Sequence, residues 1–66
     1  QLEAIEKIEF AGKMASLPDE LQTVAKIRLE NPEASTAEIA KLLGLSRSGV
    51  HHRLAKLIDI AKELQG

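Results

Sequence analysis

GLSRSGVHHRLAKL, residues 44–57, decides how this chain is read. Gly44 and Leu45 interrupt a helical pattern that ends at Leu43, and Ser46 restarts it. Serine in that position accepts a hydrogen bond from the free N–H groups of a new helix and so acts as its N-cap. After Ser46 the apolar residues Val50, Leu54, Leu57, Ile58, Ala61 and Leu64 recur at helical intervals. No proline or further glycine follows Gly49 until the final residue, so one helix is expected from Arg47 to about Gln65.

Upstream, Ser35 with Glu38 three residues later forms the pattern of a capping box. It opens a helix over Thr36–Leu43, with Ile39, Ala40, Leu42 and Leu43 expected to face inward. Two helices joined by so short a turn, with a glycine in it, match a helix-turn-helix. The packing needs a small residue where the helices cross, which Ala40 supplies. It needs apolar neighbours, which Ile39, Leu43, Leu45 and Val50 supply.

Further upstream, Pro18 suits the first turn of a helix, and Asp19 and Glu20 suit its positive end. Leu21, Val24, Ala25, Ile27 and Leu29 give that helix its apolar faces, and Asn31-Pro32 stops it. A first helix is predicted over LEAIEKIEFAG, with Gly12 as its left-handed cap. Residues 13–16 connect the two. The fold class is therefore all-α, a small helical domain of about four helices containing a helix-turn-helix. Residues 1–66 form one domain: 1–16 a helical lead-in, 17–66 the helix-turn-helix core, about 47–65 its last helix.

Composition narrows function. The chain has 66 residues, too few for more than one small core. It has no cysteine, which rules out disulfides and thiolate zinc sites. A single Phe and no Trp or Tyr argue against stacking on single-stranded bases. No apolar run reaches the roughly 18 residues of a membrane span, and no signal peptide is visible. The chain opens on Gln1 rather than Met, as a domain cut from a longer protein would. A cytoplasmic, nucleoid-associated location is the expectation.

The net charge is −1, which does not announce a polyanion binder. Its distribution does. Glu3, Glu6, Glu9, Asp19, Glu20, Glu30, Glu33 and Glu38 all precede residue 39, and residues 39–58 contain no acid. That window holds Lys41, Arg47, Arg53 and Lys56, with His51 and His52. Charge acts on a polyanion over a screening length of about 8–10 Å, so the local balance matters more than the total.

On a helical wheel Ser48, Gly49, His52 and Lys56 lie opposite the apolar side, with His51 and Arg53 flanking them. The N-terminal turns of a recognition helix enter the major groove. Arg47, Ser48 and His52 are accordingly the expected readers of base edges in double-stranded DNA. Lys41, Arg53 and Lys56 are the expected phosphate contacts, together with the helix starts at Ser35 and Ser46. About four to six phosphates would be neutralised. Gly49 either lets the backbone approach DNA closely or relieves crowding against the preceding helix.

His51 and His52 point about 100° apart on a helix and have no third histidine or cysteine to join them, so no metal is expected. No cofactor is expected either. No glycine-rich phosphate loop or cysteine nucleophile is present, and Ser46 is accounted for as a cap, so no catalytic residue is assigned.

The segments LPDEL, RLENPEAS and SRSGVHHRLAKL, within residues 17–62, resemble the C-terminal helix-turn-helix domain of the WhiA family of Gram-positive bacteria. AIEKIEFAG suits the segment before them. The resemblance implies a DNA-binding transcriptional regulator of cell division and sporulation, with a helix-turn-helix similar to region 4 of sigma factors. It carries onto Arg47, Ser48, Gly49, His52 and Arg53 and leaves the role of His51 open. It also implies an N-terminal domain related to LAGLIDADG homing endonucleases, absent from this chain. An alternative is a protein-interaction module whose acidic face docks a sigma factor, RNA polymerase or that missing domain.

Overall fold

Each helix starts and stops where its own sequence dictates. The computed structural model describes residues 2–65, the side chain of Gln65 excepted, and over them the chain forms four α-helices and no strand. They are α1 (Leu2–Phe10), α2 (Asp19–Glu30), α3 (Thr36–Leu43) and α4 (Arg47–Gln65).

Two helices end on the same device. Gly12, at φ +71°, donates to Glu9 O, and Lys13 N donates to Ile8 O at 3.1 Å. Gly44, at φ +69°, donates to Lys41 O, and Leu45 N donates to Ala40 O at 2.9 Å. Both pairs form a Schellman motif, which satisfies carbonyls the helix leaves open. Nothing lies within 4 Å of a Cβ built on Gly44. Gly44→Ala is thus expected to cost about 1–2 kcal/mol from backbone strain alone. A thermal melt should show it as a lower Tm without loss of helix content.

The helix starts follow the same logic. Ser35 Oγ accepts from Glu38 N at 3.2 Å, and Glu38 Oε1 accepts from Ser35 N at 3.3 Å, the expected capping box. Ser46 Oγ accepts from Gly49 N at 3.1 Å at the start of α4. Pro18 stands one position earlier than expected. It is the residue before α2, with extended backbone at ψ 148°, and its carbonyl accepts from Leu21 N and Gln22 N. The connection between α1 and α2 contains a single 3₁₀ turn, Met14–Ser16. Gln22 Nε2 ties it down by donating to Leu17 O at 2.9 Å.

The core forms around α4, against which the other three helices pack. It comprises Ile5, Ile8, Leu17, Leu21, Val24, Ala25, Ile39, Ala40, Val50, Leu54, Leu57 and Ala61, with no buried charge among the described residues. One inward assignment is corrected. Leu42 is 61% exposed, because Ile39, Ala40 and Leu43 occupy one arc of α3 and Leu42 falls about 110° from its centre. Leu64 is exposed because it lies a turn beyond Ala61, the last buried residue of α4. Leu45 is also more exposed than its helix-turn-helix position suggested.

Candidate nucleic-acid interface

Since Val50, Leu54 and Leu57 are buried, the remaining faces of α4's first three turns must point to solvent. Arg47, Ser48, His51, His52 and Lys56 are all exposed. Two shallow grooves flank this ridge. On the α3 side Thr36, Arg47, Ser48, His51, His52 and Ala55 line one groove. On the α2 side Ser46, Ser48, Gly49, His52, Arg53 and Lys56 line the other, together with Glu20. Ser48 and His52 belong to both, so they form the crest between them.

Carboxylates divide the two grooves. The α3-side groove contains none. In the α2-side groove Glu20 Oε2 lies 3.6 Å from Arg53 Nη2, and Arg53 Nη1 also donates to Gly49 O at 3.4 Å. Arg53 therefore differs from a free phosphate contact. Its side chain is 23% exposed, and its guanidinium bridges α2 and α4. The flanking position on the wheel hinted at this, but Glu20 is distant in sequence and only the fold brings it close.

Lys41 is exposed on α3 and lines neither groove. Ser35 and Ser46 are exposed at the helix starts, with their hydroxyls already engaged as caps. Ser35 shares a separate depression with Arg28 and Thr36. Arg28 Nη1 donates to Ala34 O there and fixes the loop before α3. Gly49 is half-buried. An added Cβ would stand 3.1 Å from Ser46 Oγ and 3.4 Å from Arg53 Nη1. The crowding at Gly49 thus comes from its own helix cap and from Arg53, and not from the preceding helix.

Thr36 was missed by the sequence reading. It opens α3 and shares a groove with Arg47 and both histidines. Its signal was its position just after the Ser35 cap, at a helix N-terminus. His51 stands in the same groove, on the α3 side.

Among the described residues, no three His, Asp or Glu side chains gather as metal ligands. None of their helices is long and apolar enough to cross a membrane.

Comparison with known proteins gives this geometry a lineage. The profile of the WhiA C-terminal HTH domain matches residues 1–61, so the likeness includes the lead-in helix as well as the core. Similar proteins include one from Lactococcus lactis subsp. lactis, 46% identical across 96% of this chain and 22% of its own length. Another, from Halothermothrix orenii, is 47% identical across 100% of this chain and 22% of its own. A third, from Clostridium acetobutylicum, is 43% identical across 98% of this chain and 21% of its own. All three are named as probable cell division protein WhiA. The chain thus spans about a fifth of the length of these relatives. No solved structure matches it. The four-helix architecture, the helix-turn-helix of α3 and α4 and the profile match agree: this chain belongs to the family of WhiA C-terminal helix-turn-helix domains.

Proposed function

We propose that the chain binds double-stranded DNA by setting the first turns of α4 into the major groove. It would serve as the DNA-binding part of a cytoplasmic, nucleoid-associated transcriptional regulator of cell division and sporulation. The observation that carries this reading is the crest of Ser48 and His52 beside Arg47 and His51, exposed and facing a groove without carboxylates. A major groove about 12 Å wide admits one helix, and the residues at that helix's N-terminus reach base edges first. The names of the relatives place them in cell division.

In this arrangement Arg47, Ser48 and His52 read bases. Lys56 and Lys41 touch phosphates, as does Arg53 once released from Glu20. Ser35, Ser46 and Gly49 present backbone at the two helix starts. Thr36 adds a hydroxyl beside Arg47 on the α3 side.

Arg47 offers the fixed fork of donors that matches guanine O6 and N7. Arg47→Ala is expected to weaken binding to a selected site by about 1–3 kcal/mol and to relax the preference at one base pair. Fluorescence anisotropy on the selected duplex and on single-base variants measures both. Unchanged affinity together with unchanged preference would remove Arg47 from the reading role.

Glu20 should act in the opposite direction. Its carboxylate holds Arg53 and repels a phosphate approaching from the α2 side. Two unit charges about 7 Å apart in water interact by about 0.6 kcal/mol. Glu20→Gln is therefore expected to tighten DNA binding about threefold at low salt, with the gain fading as salt rises. Weaker binding would instead mean that Glu20 positions Arg53 for DNA.

A further inference from the structure

We propose that the groove between α1 and the last turns of α4 docks a segment of another protein that carries apolar anchors flanked by Lys or Arg. This does not rest on the DNA-binding reading and concerns the other end of α4. Phe10 is the chain's single aromatic residue and is 97% exposed. It ends α1, where the Schellman turn through Gly12 and Lys13 fixes the backbone just beyond it. Beside it, Ala11, Ala61 and the exposed Leu64 continue the apolar surface. Aromatic residues on rigid elements are the usual anchors of protein interfaces, because their large contact area is won with little loss of side-chain freedom. The DNA-facing crest uses none of these residues.

Charge identifies the occupant. Glu3, Glu6 and Lys7 line the same groove. The two acids outnumber the single base among these lining residues. A nucleic acid or an anionic bilayer is repelled by this rim. A second copy would oppose the same acidic rim to itself across a two-fold axis. A basic amphipathic segment satisfies both features: its apolar side covers Phe10 and Leu64, and its cationic flanks meet Glu3 and Glu6. Along α4, Ala61 lies nine residues beyond His52, about 14 Å at 1.5 Å per residue. The two faces can therefore be occupied together.

The test is an amide-shift titration of the chain with two designed helical peptides of equal length, one of Leu and Lys, the other of Leu and Glu. The Leu/Lys peptide is expected to shift Phe10, Ala11, Ala61 and Leu64, and the Leu/Glu peptide is not. Phe10→Ser should weaken binding about tenfold or more while leaving the melting temperature unchanged, because the ring contributes nothing to the core. Glu3→Gln with Glu6→Gln should weaken it severalfold at low salt only. Three results would each overturn the proposal. Shifts could centre on Leu42 and ignore Phe10→Ser. A dimer abolished by Phe10→Ser could appear in sedimentation, identifying a second copy as the occupant. The peptide could also be refused once this chain replaces the corresponding domain of the Lactococcus relative, meaning that the rest of that polypeptide covers the groove.

Discussion

Leu54→Ala should cost the domain about 2–5 kcal/mol, the range for a buried leucine truncated inside a packed core. Leu54 is 2% exposed at the middle of α4, the helix against which all the others pack. A domain this short holds only a few kcal/mol in total, at about 0.05–0.15 kcal/mol per residue. The substitution should therefore leave much of the population unfolded at physiological temperature. Urea unfolding followed by helix ellipticity should show a lower midpoint with an unchanged slope. Leu42→Ala is the matched control. It removes the same atoms from a residue that is 61% exposed, and should change stability by no more than about 0.5 kcal/mol. Equal losses in the two variants would mean that the inner face of this domain is misassigned. The pair also guards the functional test: Leu54→Ala should lose the proposed DNA binding through unfolding, whereas Arg47→Ala should weaken it at an unchanged melting temperature.

How much was legible from residues alone depended on distance along the chain. Ser35 with Glu38, Gly12, Gly44 and Ser46 announce their roles because capping is decided within three to five residues. Val50, Leu54, Leu57 and Ala61 were legible for a similar reason, since periodicity reports one face of one helix, whereas Ile58, expected on that face, is only half-buried. The misreadings lie where neighbours in space decide. Leu42 has the hydrophobicity of a core residue, and only the arc of α3 covered by α4 and α2 leaves it outside. Arg53 has the appearance of a free cation until the fold brings Glu20 to 3.6 Å, 33 positions away in sequence. Gly49 is crowded by a serine and an arginine of its own helix segment, a contact that depends on rotamers rather than on sequence spacing. The exposure of Phe10 was equally hidden. Its position at the end of α1 is compatible with burial or exposure until α4 is placed beside it.

Those same corrections set the expected salt dependence of DNA binding, the second large effect. Each phosphate neutralised by a Lys or Arg releases condensed counterions, so that log K falls against log salt with a slope of about −0.9 per contact on duplex DNA. Arg47 and Lys56 are exposed on the α4 ridge without a carboxylate partner among the described residues. Lys41 stands off on α3, and Arg53 is shared with Glu20. The count is therefore two contacts at least and four at most, against the four to six expected from sequence. A slope of about −2 to −4 follows, and raising salt from roughly 50 to 200 mM should weaken binding on the order of 10- to 150-fold. Glu20→Gln frees Arg53 and should steepen the slope by up to about 0.9, which ties this measurement to the ion pair seen in the fold. A slope near zero would mean that the ridge does not meet phosphates at all. A slope much steeper than −4 would need Lys7, Lys13, Lys26, Arg28 or Lys62, none of which lines the carboxylate-free groove. DNA would then have to extend well beyond the first turns of α4. The orientation argued from Ser48 and His52 would fail even though binding itself persisted.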